Sequence, residues 1–139
     1  MKTATLTGVQ LEYAVALAEG YKFGAPKRLA NVHTYLFPLS APGWKTLGAV
    51  CLYSDGWGDN VPKFSTGPAG DAIIDREHIT TKWMGDIHRL EPSWIAHMPY
   101  ASGQLTRTGT DGATRRIAAM RAFVESRLGP EIDIHEVIK

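Results

Sequence analysis

Arg115 and Arg116 stand just before an apolar-periodic segment, preceded at short range by Arg107, Thr108 and Thr110. If Thr110 or Asp111 caps a helix there, both arginines fall in or just after its first turn. Cations at that end oppose the helix dipole, at about 0.3–1 kcal/mol each when exposed. Two accounts are open. Asp111 offsets the charge, or the helix-end N–H groups, the Thr108 and Thr110 hydroxyls and Arg107, Arg115 and Arg116 converge on a phosphate. Ser65 and Thr66 lie in a glycine-flanked stretch, and Arg76 between Asp75 and Glu77 could wall a charged pocket beside it. The plainer readings are a Ser/Thr turn bonding its own backbone and a solvated face of surface ion pairs. Trp57, in DGWGDN, would serve as a partner contact or a stacking surface.

Catalytic spacing is weaker. Ser65, His78 or His88, and Asp75 could assemble a nucleophilic triple, and Asp75, Glu77 and His78 a hydrolytic one. No G-x-S-x-G elbow surrounds the serine. His33, His78, His88, His97 and His135 include no i, i+4 pair and no zinc spacing. The run from Asp55 to Asn60 lacks the ligand order of a calcium loop. No catalytic residue, metal or cofactor is assigned, and an enzyme is the least supported class.

The elements that would position these groups are two amphipathic helices with short strands between them. Residues 7–20 form the first helix. Thr7 and Gln10 fit a capping box, Leu6 and Leu11 a hydrophobic staple, Glu12 the dipole, and Gly20 a left-handed stop. Ile117, Met120, Val124 and Leu128 share one face of the second helix, stopped by Gly129 and Pro130. Residues 32–37, 49–53 and 79–83 read as strands, and 94–98 as a further short apolar stretch. Residues 72–79 are ambiguous between helix and extended chain. Residues 54–71 read as a long irregular excursion, 99–112 as a polar loop, and 131–134 as a last edge strand. The expectation is an α+β domain over residues 1–139. Its sheet is small and mostly antiparallel, with the N-terminal and C-terminal helices packed on one face.

A chain of 139 residues can bury a core without staples. Fifteen Lys and Arg against fourteen Asp and Glu leave a charge of +1, so general nucleic-acid binding is not expected. The lone Cys51, in AVCLY, reads as a buried thiol. Neither a signal-peptide run nor a bilayer-length span is present, so the cytoplasm of the cell that makes the protein is expected. Association into a homo-oligomer is compatible with so small a domain.

Three blocks carry a family resemblance: LTGVQLEYAVALAEG at 6–20, FSTGPAGDAIIDREHI at 64–79 and IAAMRAFVESRLG at 117–129, the last followed by alternating EIDI. In order and spacing the chain resembles the NinX-like family of small tailed-phage and prophage proteins. It departs from the family pattern at Gly67 and Pro68, where a tryptophan is usual, and at Arg115 and Arg116, where the last helix usually opens with Pro-Leu. The resemblance implies a phage or prophage origin and no mechanism. Three functions follow for comparison. The first is a non-catalytic accessory protein binding a host macromolecule, with counter-defence among its roles. The second is an oligomeric binder, or sponge, of a phosphorylated or nucleotide ligand, and the third is a hydrolase.

Overall fold

The computed structural model describes residues 1–23, 63–85, 93–99 and 109–134, and in addition the backbone of strands within 27–57. Helix α1 (Gly8–Ala18) buries Leu11 through Ala16 without a break, Glu12 included. A helix buried on so many sides is enclosed by its neighbours and does not ride on the surface. Leu6 and Leu11, the expected staple, are both fully buried in the core cluster. The expected capping box is not made. Thr7 is the N-cap, but its side chain bonds nothing in the helix, and its carbonyl accepts from the Gln10 and Leu11 amides at 3.1 and 3.4 Å. Gly20, at φ +100°, closes the other end: its N–H reaches the Leu17 carbonyl and the Tyr21 N–H that of Ala16. That pair of bonds needs a left-handed residue, which is why a glycine stands there.

Five short strands follow: β1 (Lys22–Phe23), β2 (Lys27–Leu29), β3 (His33–Leu36), β4 (Pro38–Ser40) and β5 (Leu52–Tyr53), then β6 (Gly56–Trp57). β1 pairs with β4, and β2, β3, β5 and β6 form a second ribbon in that order. The expected strands at 32–37 and 49–53 therefore appear as β3 and β5, while Cys51 lies outside the described residues.

Helix α2 (Pro68–Arg76) corrects two expectations. The irregular excursion at 54–71 contains β6 and the first turn of α2, and the ambiguous 72–79 segment is mostly helix. The glycine and proline that suggested a loop are its N-cap and first helical residue, where a missing N–H costs nothing. Gly70 is needed for contact: a Cβ there would lie 1.9 Å from the Phe64 carbonyl oxygen. After α2, His78 adopts φ +54° and turns the chain into β7 (Thr80–Met84).

β7, β8 (Ser93–His97) and β9 (Thr110–Gly112) make an antiparallel sheet with β8 in the middle. β9 replaces the end of the loop expected at 99–112, of which 100–108 lie outside the described residues. Helix α3 (Arg115–Leu128) lies on this sheet and is the hub of the fold, touching α1, α2 and all three strands. The observed architecture is the expected α+β one, with antiparallel pairing throughout the described strands and helices toward both ends of the chain. α1 packs on α3 and also reaches β5 and β6. Phe123, Leu6, Leu11, Ile73, Met120, Val15 and Val124 are the largest side chains of the sealed core. The expected strand at 131–134 is reduced to one bridge, Glu131 opposite Lys2. Around it the Thr3 amide donates to the Pro130 carbonyl at 2.8 Å, and the Ile132 amide to that of Met1 at 2.9 Å.

Candidate functional site

Two helices begin at the same place. The turn at 63–67 leads into α2, and Thr114 leads into α3. Between them is a cavity of about 400 Å³ lined by Ser65, Thr66, Asp71, Thr114, Arg115, Arg116 and Ile117. Thr114, extended at φ −125° and ψ 161°, is the N-cap of α3, and its Oγ1 accepts the Ile117 amide at 3.1 Å. This corrects the cap expected at Thr110 or Asp111. Those two residues belong to β9, and Arg115 and Arg116 become the first two residues of the helix.

The wall opposite α3 is held by a buried carboxylate. Glu12, 6% exposed, accepts the Phe64 amide at 2.6 Å, the Ser65 amide at 2.8 Å and the Ser65 hydroxyl. A buried charge persists only when its oxygens are satisfied this fully. Glu12 therefore ties α1 to the lip of the cavity, instead of serving the helix dipole as expected from its place in the sequence. Its distance of 52 residues from Phe64 hides this tie from any local reading of the sequence.

Arg116 and Arg115 have different tasks. Arg116 forks onto Asp71, Nε to Oδ1 at 3.1 Å and Nη2 to Oδ2 at 2.7 Å, while its Nη1 reaches the Thr66 carbonyl at 3.1 Å. It braces α2 against α3, and its donors are largely taken. Arg115 places Nε on the Thr81 hydroxyl at 3.0 Å, and its terminal nitrogens have no partner among the described residues. The backbone N–H groups of both arginines lack intrahelical acceptors by position. Arg115, those two amides and the Thr66 and Thr114 hydroxyls are thus the donors that a small anion could meet.

The Asp71 carboxyl is held below its ordinary pKa, first by the Arg116 hydrogen bond, against desolvation, and further by the charges of Arg116 and Arg115. A carboxylate easier to ionise folded than unfolded stabilises the fold above the unfolded aspartate pKa and stops doing so as pH falls through the folded one. Both partners are over a third exposed, 37% and 38%, so solvent screens the pair. Asp71→Asn is expected to lower the melting temperature at neutral pH by roughly 1–3 °C and to flatten the acid side of its pH profile. Profiles that superimpose would refute the brace.

Other residues expected at an anion site are elsewhere. Arg76, at the far end of α2, engages both carboxylate oxygens of Glu19 and, through Nε at 3.2 Å, Glu77. Arg127 reaches the same Glu77 oxygen at 2.7 Å. Thr110 is buried and 3.5 Å from a Glu125 oxygen. Arg107 and Thr108, like His88, lie outside the described residues, and of Trp57 only the strand backbone is described. Ser65 does not face Asp75 or His78. Its hydroxyl is given to Glu12, and α2, nine residues or roughly 13 Å long, separates it from His78. Among the described residues no three His, Cys, Asp or Glu side chains are grouped as a metal site requires, and no helix is long and apolar enough to cross a membrane. Asp71 and Thr114 carry no site signal in the sequence, and Ile117 reads there only as part of the apolar helix face. A threonine three residues before Ile117 was the one readable signal, since that is the spacing of an N-cap.

Helices toward both ends, short antiparallel strands and a cavity at two helix starts define a small α+β protein. The chain belongs to the family described as Bacteriophage P22, NinX, which matches residues 2–127. The match takes in every residue lining the cavity and nearly all of α3. No curated protein matches the chain.

Proposed function

We propose that this phage accessory protein acts by binding, without catalysis, and that the cavity at Arg115 takes a phosphate-bearing ligand of the host. The observation that carries this reading is the meeting of two helix starts at a cavity where the terminal nitrogens of Arg115 have no partner among the described residues. Anions are favoured at such ends because unpaired N–H groups and the dipole act together. The hydrolytic alternative gains nothing from this arrangement, because the Glu77 carboxylate is engaged by Arg76 and Arg127. Docking of a host macromolecule through Trp57 rests on a side chain outside the described residues. The cavity therefore favours the ligand binder.

The test is titration calorimetry with pyrophosphate on the parent and on Arg115→Glu. Charge-assisted hydrogen bonds contribute about 1.5–3 kcal/mol, so affinity is expected to fall by roughly 10- to 150-fold with melting nearly unchanged. Arg116 is unsuitable for reversal, because a glutamate there would face Asp71. Absence of binding by the parent, or equal affinity in the variant, overturns the reading.

A further inference from the structure

Trp83 is half exposed, at 50%, among described residues whose other large apolar side chains are mostly buried. It is not loose. Its ring meets that of Trp94 edge-on, with centroids 5.6 Å apart, and the two are cross-strand partners in β7 and β8. Trp94 in turn packs against the core, so the indole of Trp83 is oriented before any ligand arrives. Cross-strand aromatic pairing stabilises a sheet, but it does not require that half of one partner remain in water.

The register places this ring on the strand face that Arg115 touches. Thr81 and Trp83 are two apart in β7 and so project from the same face, about 7 Å apart. Thr81 is the residue on which Arg115 rests its Nε. An anion held by the terminal nitrogens of Arg115 would therefore have an oriented aromatic surface on the same face of the sheet, two residues along β7 from the threonine that Arg115 touches. A planar ring joined to a phosphate through a sugar is the chemistry of a nucleotide. Aromatic stacking accepts any base, because every base has a π-face.

We infer that Trp83 is the base-stacking platform of this site and that the ligand is a nucleoside phosphate, with its phosphate at Arg115 and its base on the indole. The inference rests on the phosphate reading above and narrows it to one chemical class. Inorganic pyrophosphate engages only the Arg115 end, whereas a nucleoside diphosphate engages both.

The two ends can be tested separately by calorimetry with pyrophosphate and with the four common ribonucleoside diphosphates. The parent is expected to bind at least one nucleoside diphosphate more tightly than pyrophosphate. Trp83→Ala is expected to weaken that nucleotide roughly ten- to a hundredfold and to leave pyrophosphate unchanged. Trp83→Phe, which keeps a ring, recovers most of the loss and controls for damage to the hairpin. Equal nucleotide affinity in the parent and in Trp83→Ala overturns the stacking role while the phosphate reading stands. So does a parent that binds pyrophosphate as tightly as every nucleotide. A parent that binds none of these probes removes both readings together.

Discussion

A Glu12→Ala variant is expected to melt roughly 10–15 °C below the parent, corresponding to about 3 kcal/mol or more of lost stability. The carboxylate is 6% exposed and accepts two backbone amides and one hydroxyl from residues 64 and 65. Alanine leaves those buried amides without their acceptors, at about 1–3 kcal/mol each. Removing a buried charge recovers some desolvation, which does not offset two stranded donors. Glu12→Gln separates shape from charge. It keeps one acceptor oxygen, turns an NH2 toward the other donors, and should fall between parent and alanine. Thermal melts followed by circular dichroism decide the matter, and an alanine variant within about 2 °C of the parent would falsify the clamp. Because Ser65 and Thr66 line the cavity, the same variant should loosen its wall and weaken any anion it holds.

Phe123→Ala should be at least as costly, about 3–5 kcal/mol, the range for emptying a sealed aromatic site. Phe123 is fully buried on α3, the helix against which the rest of the fold packs. Its ring also lies near two cations: Arg76 and Arg127 have guanidinium carbons 5.8 and 5.4 Å from its centroid. Phe123→Leu keeps most of the apolar volume and loses only the aromatic face, so a loss nearer 1 kcal/mol is expected from it. Urea denaturation at constant pH measures both. The midpoint should drop while the slope stays the same. A loss below about 1 kcal/mol in the alanine variant would show that the core closes over the gap and that the ring is not its keystone.

The parts of the fold that were legible in the sequence are those in which neighbouring residues report on one another. Ile117, Met120 and Val124 recur at helical spacing because one face of α3 meets the core. Gly20 was readable as a stop for the same local reason. α2 was misread at its start because Gly67 and Pro68 are punctuation, and punctuation looks alike whether it opens a helix or fills a loop. β9 was missed because Thr110–Gly112 is a short polar segment whose strand character comes from pairing with β8. The alternation at 131–134 failed in the opposite way: periodicity was present without a partner strand. At the site, the arginines could be singled out by their awkward charge at a helix start. The partition of labour between them could not, since Asp71 is 45 residues from Arg116 and Thr81 is 34 from Arg115. The same distance problem hid Arg76, whose partner Glu19 lies 57 residues away.

The Arg116–Asp71 fork has a consequence for how the cavity would respond to ionic strength. One of the two arginines at the cavity is already neutralised by a carboxylate of the protein itself. On the proposed reading, an incoming phosphate meets the charge of Arg115, which has no ion-pair partner among the described residues, together with hydrogen-bond donors that carry no net charge. Polyanion-binding surfaces lose affinity steeply as salt rises, because each neutralised phosphate releases condensed counterions. A cavity with its second cation internally compensated has little of that dependence. On the proposed reading, such a cavity would recognise its ligand by fit and donor geometry, with an affinity that changes little as the surrounding salt concentration changes.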